Sequence, residues 1–106
     1  MKELFDNQLA AIAAGDLDAL MAQYHDEATL VRLDVVAEGK AAIRELMAAY
    51  FTREPKLAEL KNVQYAGDVV LYNAGMTIGG ADFNTFGTFV VRDGKIWRQT
   101  AIALPA

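Results

Sequence analysis

Hydrophobic residues recur with helical spacing in the first half of the chain and with strand spacing in the second half. Phe5, Leu9 and Ile12 lie four and three residues apart, which predicts a first helix that ends at Gly15. Asp16 is a suitable N-cap for a second helix, because its carboxylate can accept hydrogen bonds from the free amides of the next turn. Apolar stripes predict the second and third helices, at Leu17, Leu20, Met21 and Tyr24, and at Ile43, Leu46, Met47, Tyr50 and Phe51.

Short β-branched and apolar segments predict the strands. Residues 28–33 and 35–38 form a hairpin between the second and third helices, with Asp34 at the turn. Pro55 ends the third helix, because its ring lacks a donor and clashes with the preceding turn. From Leu57 onward we predict four longer strands, separated by the turn pairs Gly67-Asp68, Gly79-Gly80 and Asp93-Gly94. Without a linker or a repeat, residues 1–106 are expected to form one α+β domain.

Both faces of the last two predicted strands carry large apolar side chains. In the final strand, Trp97 and Gln99 share one face, and Ile102 and Leu104 share the other. A single antiparallel sheet normally has one face in water. We therefore expect the concave face to line a core and a pocket. The convex face should join two subunits in a homodimer through Phe86, Val90, Ile102 and Leu104.

Composition narrows the function classes. The net charge of −4 over 106 residues gives no basic surface for nucleic acid or for an anionic membrane. There is no cysteine, so disulfides and thiolate metal sites are excluded, and a single histidine argues against any other metal site. We predict no cofactor. The chain start is charged and lacks an apolar run long enough for a signal peptide, which favours the cytoplasm. The hydrophobic content of 54% is high for a soluble domain and indicates a pocket lining, a subunit interface or both. The expected partner is a small, largely apolar molecule.

Three blocks of sequence resemble a known superfamily. They are Ala-Gly-Asp-Leu-Asp-Ala-Leu at 14–20, Tyr-His-Asp-Glu-Ala-Thr-Leu at 24–30 and Gly-Lys-Ala-Ala-Ile-Arg-Glu-Leu at 39–46. In this order they resemble the opening half of the nuclear transport factor 2-like superfamily, which includes the SnoaL-like cyclases and the ketosteroid isomerases. The resemblance implies a strongly curved antiparallel sheet wrapped around three helices, forming a cone with an open mouth. Its core should include Leu9, Ile12, Leu20, Leu30, Ile43, Leu46, Met47 and Phe51.

The resemblance does not extend to the reactive groups of the ketosteroid isomerases. In that alignment Arg32 stands where the general base would be, and Gln8 and Gly87 stand at the two oxyanion-hole positions. Of the two supporting tyrosines, one matches Tyr24 and the other falls at Met47. We therefore expect isomerase activity on 3-ketosteroids to be undetectable or trace.

Two basic residues allow more than one interpretation. Arg32 shares a strand face with apolar neighbours, and a buried guanidinium is costly unless it is paired. Its partner could be an acid near in sequence, Asp34 or Glu38, or an anionic ligand, and a different register would place it in solvent. His25, the only histidine, is by default a candidate acid–base group, but its position at a helix end favours a solvated surface residue.

The pocket candidates come from the inward faces of the strands. Gln99 is the strongest, because a buried amide needs hydrogen-bond partners that a ligand could supply. Trp97 could line the bottom of the cavity or belong to the core. On strand 69–78 the apolar alternation favours Tyr72 as the inward residue, whereas alignment to the isomerases favours Asn73. The predicted pocket set is Tyr24, Arg32, Met47, Tyr72, Asn73, Phe89, Trp97 and Gln99, with Arg32, Gln99 and Tyr24 as the candidates for catalysis.

These residues support two hypotheses. The first is an isomerase-, cyclase- or dehydratase-type enzyme, in which a few pocket groups transfer a proton or stabilise charge on a small apolar substrate. The second is a non-catalytic ligand-binding or dimerisation domain that has the cone without the reactive set. The fold alone cannot decide between them. A cavity of roughly a few hundred cubic ångströms would favour a ligand.

Overall fold

A computed structural model describes residues 1–106 as three helices and six strands. The helices are α1 (Lys2–Ala14), α2 (Leu17–Met21) and α3 (Lys40–Phe51). The strands are β1 (Tyr24–Val31), β2 (Val36–Glu38), β3 (Lys56–Ala66), β4 (Val69–Ile78), β5 (Ala81–Arg92) and β6 (Lys95–Pro105). None of the helices is long and apolar enough to cross a membrane.

The second helix is shorter than its apolar stripe predicts. The side chain of Asp16 caps it by accepting a hydrogen bond from the Ala19 amide at 3.0 Å. It ends at Met21, and the carbonyl of Gln23 already accepts a bond from the Ile96 amide at 2.8 Å. Tyr24 therefore begins β1 instead of closing the helix.

The six strands form one sheet in the order β2-β1-β6-β5-β4-β3. All neighbours are antiparallel except β1 and β6, which pair in parallel. This pairing departs from the antiparallel expectation. It is possible because α3 and four strands lie between β1 and β6 in the chain, which gives the long connection that parallel strands need. Register shifts in the β1–β6, β3–β4 and β5–β6 pairs mark irregularities of the kind that bend a sheet.

The core lies between the helices and the concave face of the sheet. Four of the eight predicted core residues are fully buried and four are partly buried against them. The buried ones are Leu20, Leu30, Ile43 and Met47, and the partly buried ones are Leu9, Ile12, Leu46 and Phe51. On β4 the alternation turns Val70, Tyr72 and Ala74 inward, so Tyr72 and not Asn73 faces the helices.

The prediction that Trp97 shares the inward face with Gln99 is wrong. Val90 pairs with Arg98 and Val91 pairs with Ile96, so Trp97 is an extra residue in β6. Such a bulge shifts the alternation, and Ile96 becomes the fully buried residue in its place. Two guanidiniums stack on the Trp97 ring, with the Cζ atoms of Arg98 and Arg92 at 3.8 and 4.5 Å from the ring centre.

Candidate functional site

A cavity of about 420 Å³ lies between the concave face of the sheet and the helices α1 and α3. Its wall is mostly hydrophobic, and its volume lies within the usual range of small-molecule sites, about 300–1,000 Å³. Of the eight predicted pocket residues, six line it: Tyr24, Arg32, Met47, Tyr72, Phe89 and Gln99. Asn73 and Trp97 do not line it.

Three polar side chains in the wall form a hydrogen-bonded group that we call the buried polar cluster: Gln8, Tyr24 and Gln99. The Tyr24 hydroxyl donates to Gln99 Oε1 at 2.5 Å, and Gln8 Nε2 donates to the Tyr24 hydroxyl at 3.5 Å. All three residues are almost fully buried, although they come from α1, β1 and β6. The cluster therefore joins the first helix to the middle of the sheet.

Gln8 has an unsatisfied acceptor in this cluster. Its Oε1 is buried and has no hydrogen-bond partner. An unsatisfied buried polar group costs about 1–3 kcal/mol. Because Gln8 lines the cavity, a donor on a molecule inside the cavity could satisfy this atom.

The position of Gln8 in the sequence predicts its burial. Gln8 is three residues after Phe5 and four before Ile12, so it lies within the apolar stripe of α1. A polar residue inside such a stripe is buried with it, and a buried amide needs partners.

Two phenols in the cavity are held in their neutral form. Burial raises the pKa of Tyr24 well above its ordinary value, against the opposing effect of its hydrogen bonds with Gln8 and Gln99. Burial also raises the pKa of Tyr72, and nearby Tyr50 adds to that rise. The Tyr72 ring covers Gly87 on the neighbouring strand, where a β-carbon would overlap the phenol. Both hydroxyls are thus neutral hydrogen-bond donors at physiological pH.

The charged residues of the cavity lie at its opening, which we call the mouth and define by Arg32, Leu33, Asp34 and Arg53. Arg32 is at this edge, with a side chain 35% exposed, and its guanidinium donates to both carboxylate oxygens of Asp34 at 3.2 and 3.1 Å. Of the alternatives for Arg32, the pair with Asp34 is therefore present. Leu33, between them in the chain, is 87% exposed.

The buried polar cluster has no acidic or imidazole neighbour in the wall. Asp34 is the one carboxylate that lines the cavity, and it lies at the mouth. His25 is elsewhere: its Nδ1 accepts from the Glu27 amide at 3.0 Å, and its Nε2 is 3.5 Å from the carboxylate of Asp93. No group of three or more histidine or acidic residues could hold a metal ion. The cavity can therefore offer neutral hydrogen bonds inside and charge at its opening.

Comparisons with known proteins agree on family and fold. A family model described as a SnoaL-like domain matches residues 5–99. No curated protein matches the chain in sequence. An NTF2-like protein from Burkholderia xenovorans is similar in structure, with a TM-score of 0.84 and 22% identity, over 99% of this chain and 83% of that chain.

Two further solved structures are similar. A hypothetical protein from Catenulispora acidiphila with a ketosteroid isomerase-like fold, in complex with trimethylamine, has a TM-score of 0.80 and 19% identity, over 96% and 85% of the two chains. SalBIII, an epoxide hydrolase/cyclase-like enzyme in pyran ring formation in the polyether salinomycin, has a TM-score of 0.86 and 22% identity, over 96% and 88%. These similarities show the fold that the sequence resemblance implied.

Proposed function

The chain belongs to the SnoaL-like domain family, and from this premise and the cavity we propose that it binds a small, largely apolar molecule that carries an oxygen-bearing group inside the cavity. The observation that carries the proposal is the buried Oε1 of Gln8, which has no partner and belongs to a residue of the mostly apolar cavity wall. Native proteins pair the great majority of buried polar atoms, so an unpaired one in a cavity wall points to a bound group.

A hydroxyl is the group that fits the polar part of the wall best. Gln8 Oε1 can only accept, so it needs a donor from the ligand. The Tyr72 hydroxyl makes no hydrogen bond with another side chain and can donate to the same oxygen. Tyr24 and Tyr72 both line the cavity. A ligand hydroxyl can donate a hydrogen bond to Gln8 Oε1 and accept one from the Tyr72 hydroxyl.

The apolar body of the ligand would lie along the remaining wall. Leu9 and Ile12 from α1, Met47 from α3 and Met76 and Phe89 from the sheet supply that surface. Methionine side chains adapt to ligands of irregular shape because they are unbranched and flexible. The binding energy would therefore come mainly from apolar burial, and the polar cluster would set the orientation.

A cyclase- or isomerase-type enzyme is the second candidate. The similarity to SalBIII and the neutral donors of the buried polar cluster favour it, because such donors can stabilise negative charge that develops on a substrate oxygen. General acid–base catalysis needs a group that gives or takes a proton near neutral pH. No carboxylate or imidazole adjoins the cluster, and this favours binding over turnover.

The proposal is tested with matched ten-carbon probes. Alcohols, the corresponding ketones and the corresponding hydrocarbons, both linear and bicyclic, are titrated into the protein by calorimetry or NMR. We expect the best alcohol to bind more tightly than its ketone and its hydrocarbon. Gln8→Leu should weaken alcohol binding about tenfold, the equivalent of about 1.4 kcal/mol, and leave hydrocarbon binding unchanged. Gln64→Leu, at an exposed position on β3, is the control.

Two results would contradict this proposal. One is that alcohols bind no better than their hydrocarbons. The other is that Gln8→Leu leaves the preference for alcohols intact. If products accumulate from any probe during these titrations, the enzyme candidate replaces the binding proposal.

A further inference from the structure

The mouth of the cavity carries a positive charge, although the chain as a whole is negatively charged. The chain has a net charge of −4, yet the three charged residues that line the cavity are Arg32, Asp34 and Arg53. Two guanidiniums against one carboxylate leave one positive charge at the mouth. Arg32 is held by Asp34, whereas none of the four ion pairs in the structure includes Arg53. Arg53 is therefore a cation at the cavity opening without an acidic partner.

Arg53 is held in place by its backbone and not by a counter-ion. Its carbonyl accepts a hydrogen bond from the Gly79 amide at 2.7 Å, and its amide donates to the Tyr50 carbonyl at 3.0 Å. Its guanidinium lies beside Gly79, at the turn between β4 and β5. Arg32 comes from the end of β1, so two separate parts of the fold bring the two cations to one opening.

Tyr50 lies near both cations. It lines the cavity, and burial raises its pKa to about 12, while the positive charges of Arg53 and Arg32 oppose that rise. Its hydroxyl is therefore a neutral donor in the neighbourhood of two guanidiniums. The Tyr50 hydroxyl and the two guanidiniums are all hydrogen-bond donors. The carboxylate of Asp34 is the one anionic acceptor beside them.

From this arrangement we infer that the ligand of the cavity is an anionic amphiphile, whose apolar body fills the cavity and whose carboxylate lies at the mouth against Arg53, Arg32 and Tyr50. This inference rests on the proposed function and specifies the class of ligand: the hydroxyl proposed for Gln8 lies inside the cavity, and the carboxylate is a second polar group of the same molecule at the mouth. A guanidinium presents donors in a planar fork that suits a carboxylate. The net charge of the mouth matches a group of charge −1 better than a phosphate monoester, which approaches −2.

The test compares two probes that differ only at the head group, decanoate and decan-1-ol, by calorimetry at pH 7.5 and low salt. Both probes are measured in the Gln8→Leu variant, which removes the hydroxyl contact proposed inside the cavity, so that the comparison reports on the mouth alone. We expect decanoate to bind about three- to tenfold more tightly than decan-1-ol, since the mouth is partly exposed and water weakens its charges. The preference should shrink in 0.5 M NaCl, because salt screens exposed charges.

Three variants locate the effect. Arg53→Gln should remove most of the preference for decanoate and leave decan-1-ol binding unchanged. Asp34→Asn should strengthen decanoate binding severalfold, because it frees the guanidinium of Arg32 from its present partner. Arg92→Gln is the control: it makes the same change in net charge at an exposed residue that stacks on Trp97 and does not line the cavity.

The possible failures are distinct. If decan-1-ol binds as tightly as decanoate, the carboxylate site is excluded and the proposed function stands. If Arg92→Gln lowers the preference as much as Arg53→Gln, net charge and not the mouth is responsible, and the inference is overturned. If neither probe binds at millimolar concentration, the inference and the proposed function both fail.

Discussion

Tyr24 and Tyr72 both place a phenol in the cavity wall, but their hydroxyls have different surroundings. The hydroxyl of Tyr24 bonds to Gln99 and Gln8 and so connects β1 to β6 and α1. The hydroxyl of Tyr72 lies over Gly87, and no hydrogen bond contributes to its raised pKa. The first hydroxyl is part of the structure of the protein, and the second remains available to a ligand.

This difference predicts unequal costs for the same chemical change. Tyr24→Phe should lower the free energy of unfolding by about 1–3 kcal/mol, because it leaves the buried Oε1 of Gln99 without its donor. Tyr72→Phe should change that free energy by less than about 0.5 kcal/mol. Urea unfolding of both variants beside the unmodified protein measures the two values. Equal losses of unfolding free energy in the two variants would contradict this difference between the hydroxyls.

At the scale of the elements, the contact between β4 and β5 includes a large residue paired with a small one. Tyr72 and Gly87 are direct partners in the antiparallel pair, and the phenol lies where a β-carbon of residue 87 would be. Gly87 has no positive φ, so its backbone would accept any residue. The position is restricted by the ring across from it, and the position of that ring sets the shape of the cavity.

Gly87→Ala should therefore destabilise the protein by about 1–3 kcal/mol, because the added methyl group must displace a packed aromatic ring. Combining it with Tyr72→Leu should recover part of that loss. Gly75→Ala on β4 is the control: its nearest neighbours lie 3.8 Å from the added carbon, and alanine is preferred to glycine in a strand. Thermal unfolding of the three variants is the measurement, and a neutral Gly87→Ala would contradict the account.

The same elements separate what a sequence can predict from what it cannot. Gly67, Gly79 and Gly94 lie at the predicted turns with positive φ, because turn chemistry is local. The position of Trp97 was not predictable, since a bulge arises from the pairing of two strands and strict alternation assumes a regular ladder. The parallel pairing of β1 with β6 likewise depends on tertiary packing. The place of Arg53 at the mouth is not predictable from local sequence either, because it depends on contact with the distant turn at Gly79.

At the scale of the whole molecule, the convex face of the sheet carries more apolar surface than a monomer needs. Leu71, Phe86 and Leu104 are 51%, 39% and 46% exposed, and Phe86 is the direct partner of Ile102. Between β5 and β6 the hydroxyls of Thr88 and Thr100 form a hydrogen bond with each other at 2.6 Å. These two hydroxyls therefore need no hydrogen-bond partner from outside the sheet. Val31 extends the surface to β1. We call these residues the convex apolar face.

We expect this face to join two copies of the chain around a two-fold axis, so that the same strands meet from each copy. A stable interface of this kind buries about 1,200–2,000 Å² in total. In sedimentation equilibrium at micromolar concentration, the protein should have twice its monomer mass of 11.6 kDa.

Phe86→Asp should dissociate this dimer, weakening it about a hundredfold or more, because an unpaired carboxylate in an apolar interface is expensive. The single subunit should still fold, since the Phe86 side chain is partly exposed when the subunit is alone. Leu57→Asp is the matched control: Leu57 is equally exposed, at 39%, but it pairs with the inward residue Met76 on the opposite face of the sheet. A wild-type monomer would contradict the assignment of the convex apolar face, and a dimer that tolerates Phe86→Asp would place the interface elsewhere on the molecule.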